Sequence, residues 1–134
     1  MRSTRTAVLT VTCFLLAAAT WAGWFGWDTV RDVNPGTGSS TGPYELWQGV
    51  GAAITLLAVI IVFARWLPTV NLVLAVSVGF TAGFAYSAAS DPEADGLYVV
   101  GAGILLVVML AATTAVAWAA RKAVDRRTRP PASL

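Results

Sequence analysis

The chain has no histidine, one cysteine (Cys13), one lysine (Lys122) and seven acidic residues among 134. Each shortage removes a class of chemistry. Without histidine there is no Ser–His triad, no imidazole acid–base catalyst and no Cys/His zinc site. A single cysteine leaves no disulfide framework within the chain and no Cys-x-x-Cys redox pair, which excludes a vitamin K epoxide reductase-like bundle. Charged residues make up 12% of the chain against roughly 25% in soluble domains, and the mean hydropathy is +0.69. So few charges would not cover a soluble protein of this size. The net charge of +2 comes from segregated charges and not from a basic surface, so no nucleic-acid partner is expected.

What the chain has instead is long apolar sequence. Four runs, 6–27, 46–64, 69–89 and 97–120, hold no Asp, Glu, Lys or Arg. A helix rises about 1.5 Å per residue, so about 20 residues cross a hydrocarbon core of roughly 30 Å. The expected fold is all-α: a membrane-embedded antiparallel four-helix bundle forming one transmembrane domain over 1–134. The first run is longer than a signal-peptide core. It closes on "WAGWFGW", where a cleavage site would need small residues, so it reads as a span.

Charge placement sets the expected orientation. Arg2, Arg5, Arg65, Arg121, Lys122, Arg126, Arg127 and Arg129 fall at the N-terminus, the second connection or the tail 121–134. Only Arg31 falls in the other connections, 28–45 and 90–96. The positive-inside rule then expects a multi-pass protein of the plasma membrane with both termini cytoplasmic. The acids Asp28, Asp32, Glu45, Asp91, Glu93 and Asp95 lie on the other side. Trp24, Trp27, Tyr44, Trp47 and Tyr98 mark the outer ends of the runs, and Trp66 and Trp118 the inner ends, as rings that prefer headgroup depth should. Eight arginines beside one lysine fit GC-rich coding and a high-GC bacterium. The tail, with its basic cluster and Pro-Pro, is expected to be disordered or to lie on anionic lipid.

Apolar helices associate in lipid through small residues and scattered polar contacts. The third run carries Ala75, Gly79, Gly83 and Ser87 at four-residue spacing, and the fourth carries Ala111, Ala115 and Ala119. The first stripe is a candidate oligomer face or, equally, a packing face inside the monomer. Thr10, Thr12, Cys13, Ser77, Thr113 and Thr114 fall in the inner half of the membrane. They either line a small polar cavity or bond to carbonyls one turn back.

The one long polar stretch between the runs is "DVNPGTGSSTGPYELWQ", 32–48. Its Gly, Pro, Asn and Ser are turn formers. Glu45 stands at the start of the second span, where the helix dipole favours a carboxylate, and Gln48 lies deeper, where it needs a partner. Asp28, Arg31 and Asp32 follow Trp21, Trp24 and Trp27, spaced by three along one side of the first span. Asp28, Arg31, Asp32, Tyr44, Glu45, Trp47 and Gln48 form the candidate outer-face interaction site. The alternative is a plain connection in which Glu45 caps a helix and Arg31 pairs with a neighbouring acid. "DVNPG" opens like an EF-hand loop but lacks the third ligand and the closing Glu, so no metal site is expected. No catalytic residue and no cofactor site stand out.

"TGPYELWQ" after an Asp-Val-Asn loop resembles a group of small four-span integral membrane proteins of actinobacteria, whose first extracytoplasmic loop ends in Gly-Pro-Tyr-Glu-x-Trp-Gln. The motif covers about eight residues, and the four-span layout extends the likeness over the chain. The resemblance implies the topology and carries no activity.

The expected function is a non-enzymatic structural, accessory or interaction protein that presents its first extracytoplasmic loop. The expected associates are the lipid bilayer and either a second copy or another membrane protein. The alternative is a small dimeric transporter or passive pore with an outer-face site near Glu45. Small multidrug-resistance pumps share the four-span layout, but they depend on a carboxylate within the first span, and this first span has none.

Overall fold

The computed structural model describes residues 1–30, 32–42 and 44–129. Four helices account for about three quarters of it: α1 (Arg2–Trp24), α2 (Leu46–Phe63), α3 (Thr69–Ala89) and α4 (Tyr98–Thr128). Each is long and apolar enough to cross a membrane. Between α1 and α2 a minimal hairpin pairs β1 (Asp32–Val33) with β2 (Ser40–Thr41), in the register Asp32 to Thr41 and Val33 to Ser40.

Local chemistry accounts for where the helices stop. The N–H groups of Phe25 and Gly26 still reach the carbonyls of Trp21 and Ala22, and then Asp28 turns back onto Phe25. α1 therefore ends at Trp24, short of the apolar run, because hydropathy continues through rings that the backbone has already left. Leu67 N–H closes on the Phe63 carbonyl, and Pro68, lacking an N–H, opens α3 after a five-residue turn, 64–68. Gly96 takes φ of 81°, a conformation that costs glycine nothing, and leads the short α3–α4 connection into α4.

α4 runs on through Thr128. Part of the tail, 121–128, forms two further helical turns rather than the disordered segment that was one of the two expectations. Alanine, arginine and lysine are strong helix formers, and the prolines that follow Arg129 in the sequence stop the helix only there.

The central pair is α1 with α3. Its contacts climb together along both helices: Thr10 with Asn71, Phe14 with Gly79, Trp21 with Gly83 and Ser87. The two therefore run in the same sense. α2 leans on the C-terminal part of α1, with the Trp24 ring over Gly51. α4 lies along α3, where Ser77 meets Thr113 and Phe84 meets Gly101.

The stripe Ala75, Gly79, Gly83, Ser87 is taken up inside the monomer. Ala75 is buried. A Cβ on Gly79 would stand 2.5 Å from the Phe14 carbonyl oxygen, and one on Gly83 would stand 2.7 Å from Trp21 Cβ. Ser87 Oγ accepts a hydrogen bond from Trp21 Nε1 at 2.9 Å. The small residues let two backbones approach, and α1 occupies the space so made.

Most of the hydroxyls in the spans bond one turn back: Thr10 to the Thr6 carbonyl, Thr12 to Val8 and Thr114 to Leu110. Asn71 Nδ2, a polar group within α3 that the sequence reading passed over, donates to Thr10 Oγ1 at 3.3 Å.

Candidate functional site

The outer-face residues gather where α1 ends and α2 begins. Glu45 is the N-cap of α2 and forms a capping box with Gln48. The Glu45 side chain accepts from the backbone of Gln48, and Glu45 N–H donates to Gln48 Oε1 at 2.6 Å. The other end of the same amide, Gln48 Nε2, donates to Asp28 Oδ2 at 3.0 Å. Gln48 is fully buried, so this one side chain ties the segment that follows α1 to the first turn of α2. The partner that Gln48 requires at that depth is Asp28, twenty residues earlier. Trp47 Nε1 adds a bond to the Glu45 carboxylate.

Tryptophans build the walls around this brace. Trp47 packs between Trp24 and Trp27, with ring centroids 6.2 and 6.3 Å away. Trp24 Nε1 bonds to Thr55 Oγ1 at 3.0 Å, and its ring fits against α2 because Gly51 has no Cβ to collide with it. Trp21 faces α3, with Phe80 and Phe84 edge-on at 5.3 and 5.2 Å. Three tryptophans expected on one side of a helix thus serve three surfaces. Trp21 holds α3, Trp24 holds α2, and Trp27 folds back onto the Gly23 carbonyl.

The loop itself is ordered by local bonds. Asn34 Oδ1 accepts from Gly36 N–H, Asn34 N–H donates to the Ser39 carbonyl, and Gly38 turns the chain at φ of 67°. "DVNPG" is therefore a hairpin turn in which Asn34 holds the backbone. Of the candidate residues, the structure brings together Asp28, Tyr44, Glu45, Trp47 and Gln48. Asp32 is placed by its backbone pairing alone, and Arg31, with its expected ion pair, lies outside the described residues.

A second outer feature combines this region with the α3–α4 connection. A cavity of about 730 Å³ opens there, lined among others by Asp28, Tyr44, Tyr86, Asp91, Asp95 and Tyr98. Asp91 Oδ1 and Asp95 Oδ1 accept backbone N–H groups of Glu93 and Leu97, so both carboxylates also order the turn. Burial, then the negative charges of Asp28 and Asp91, push the Tyr44 hydroxyl above its ordinary pKa, so it stays a neutral phenol. The sequence placed these acids on one side of the membrane but not in one cavity. Tyr86 belongs to it only because α3 presents its outer end toward α1.

Among the described residues no group of three or more His, Cys, Asp or Glu side chains is arranged to hold a metal ion. The carboxylates that face the cavity suit recognition of hydrogen-bond donors or positive charge. In fold, the chain is a small all-helical protein of the multi-pass membrane class, with four candidate spans. Comparison with family models, curated proteins and solved structures finds no match to this chain.

Proposed function

We propose that the protein is a non-enzymatic accessory factor of the cell membrane that presents its first loop to a partner on the extracytoplasmic side. Both termini then lie in the cytoplasm, because eight of nine cations sit at that end of the helices. The observation that carries the reading is Gln48, buried and bonded at both ends of its amide to Asp28 and Glu45. A mere connection needs no such clamp. A loop offered to a partner gains from one, because ordering it beforehand lowers the entropy lost on binding. Exposed Val30, Val33, Trp27 and Leu46 give the presented surface apolar contact area.

The pore alternative has less support. Trp21, Phe25, Phe80 and Phe84 fill the outer half between α1 and α3, and Trp21 and Phe25 stack at 4.5 Å. A transport path through that pair would have to open this aromatic cluster.

The test is photo-crosslinking in intact membranes from a probe at Thr37, at the tip of the hairpin. The expected result is a discrete crosslinked species that is lost in Gln48→Leu while the protein still inserts. A probe that captures nothing, or an adduct unaffected by Gln48→Leu, would defeat the proposal.

A further inference from the structure

Tertiary contacts collect the basic segments at the other end of the molecule. Thr10 and Asn71 join the early turns of α1 and α3, and Arg121 Nη2 donates to the Leu67 carbonyl at 2.6 Å, tying α4 to the α2–α3 turn. Arg2, Arg5, Arg65 and the basic residues of α4 therefore share one end with a single acid, Asp125. Among the described residues none of these cations is ion-paired.

They are not equivalent. Arg121 is committed to Leu67, and Arg127 lies on the opposite side of α4 from Trp118. Trp118, Lys122, Arg126 and Arg129 fall within about 80° of one another around the helix, at about 100° per residue, and Asp125 lies about 20° to the other side of Trp118, so the face carries three cations and one acid. Lys122 Nζ sits 4.5 Å over the Trp118 ring. Toward the other end the same face continues through Ile104, Val108, Ala111 and Ala115, all exposed, and no other helix of the chain covers it. One face of α4 thus passes from aliphatic to indole to a net-positive segment, since Asp125 offsets one of its three cations, in the order in which a phospholipid passes from acyl chain to interface to phosphate.

We propose that this face of α4 binds an anionic phospholipid, with an acyl chain along Ile104, Val108, Ala111 and Ala115 and the phosphate held by Lys122 and Arg126. With Trp118 at headgroup depth, Lys122 stands about 6 Å and Arg126 about 12 Å further along the axis, and long basic side chains reach back toward the interface. Arg129, about 16 Å along and past the last helical residue, is further from that depth than either and contributes less. Charge decides between lipid and a second copy. Two chains inserted in the same direction and joined through this face would set Lys122 and Arg126 against their own counterparts, and like charges repel. The assignment rests on the α4 face alone and stands whichever way the chain crosses the membrane.

The experiment uses the full chain in micelles mixed with dioleoyl phosphatidylglycerol or dioleoyl phosphatidylcholine, with retained lipid counted by native mass spectrometry. The phosphatidylglycerol form should be retained preferentially, and less so as salt is raised. Lys122→Gln and Arg126→Gln should each lower the preference roughly fivefold, whereas Arg127→Gln should leave it unchanged. Inorganic phosphate at matched ionic strength should not shift the thermal midpoint, because it brings no acyl chain. Should a variant lose helix content, quenching of the wild-type protein by brominated phosphatidylglycerol, with Trp118→Phe to isolate that ring, decides the matter. Equal retention of the two lipids, a preference that survives loss of both cations, quenching no stronger than with brominated phosphatidylcholine, or a phosphate effect equal to that of the lipid would each overturn the assignment.

Discussion

α3 and α4 make an instructive pair. α4 is the more apolar of the two, yet 6% of its most apolar stretch is buried, against 44% for α3. In a soluble protein the order would be reversed. Here lipid satisfies aliphatic side chains as well as a protein core does, so hydrophobicity does not select what is packed. Small and polar groups select it. α3 brings Asn71, Ala75, Ser77, Gly79, Gly83 and Ser87, which allow close backbones and interhelical hydrogen bonds. The middle of α4 brings mainly Val, Ile and Ala to its exposed faces and meets α3 through few such groups.

Glycine substitution should break this contrast with the largest effect. Gly79→Leu forces a side chain into the Phe14 carbonyl and should destabilise the protein by about 3 kcal/mol or more, read as detergent-resistant helix content on heating. Gly103→Leu on α4, where nothing stands within 4 Å of the new Cβ, should change stability by less than about 0.5 kcal/mol. A similar cost at both sites would mean that α4 is packed by something beyond this chain.

Polar contacts sharpen the same comparison. Gln48→Leu keeps an apolar volume but leaves Asp28 without its donor and Glu45 N–H without its acceptor. About 2 kcal/mol should be lost, and the first loop should become open to limited proteolysis while α3 and α4 stay protected. Trp21→Phe removes the bond to Ser87 and part of the ring that packs on Phe80 and Phe84, and should cost about 1–2 kcal/mol, seen as a lowered Tm with an unchanged far-ultraviolet spectrum.

The smallest effect concerns Tyr44. Its folded pKa is raised, by burial and then by Asp28 and Asp91, so its contribution to stability is complete below the unfolded value of about 10. That contribution is lost as pH rises through the folded value, because the unfolded chain releases the proton first. Thermal unfolding should therefore show a decline in Tm above about pH 10 that is shallower in Tyr44→Phe.

The four-helix class was legible because charge-free runs of this length have few other uses. α2 and α3 begin at the first residue of their runs and end within a residue of them. α1 and α4 departed from theirs because hydropathy reports which residues tolerate lipid, while a helix follows hydrogen bonding and propensity. Hence α1 stops before Trp27, and α4 continues through a basic segment that is polar and yet strongly helix-forming. At the outer site, the cap by Glu45 could be read locally, because a capping box spans only four residues. The bond from Gln48 to Asp28 could not, since nothing in the intervening residues 29–47 encodes which carboxylate will arrive.

By itself the sequence determined that four apolar helices form, where the polar loops fall and which end carries the cations, because length, charge and hydropathy act residue by residue. Tertiary structure alone decided that α1 and α3 are the packed pair, that their glycine stripe is consumed within the chain, that Asp28 joins Gln48, and that one face of α4 is left uncovered by the other helices. Those outcomes depend on which small surfaces meet at close range, and in a bilayer that choice is made by shape and hydrogen bonds between helices that hydrophobicity leaves nearly equivalent.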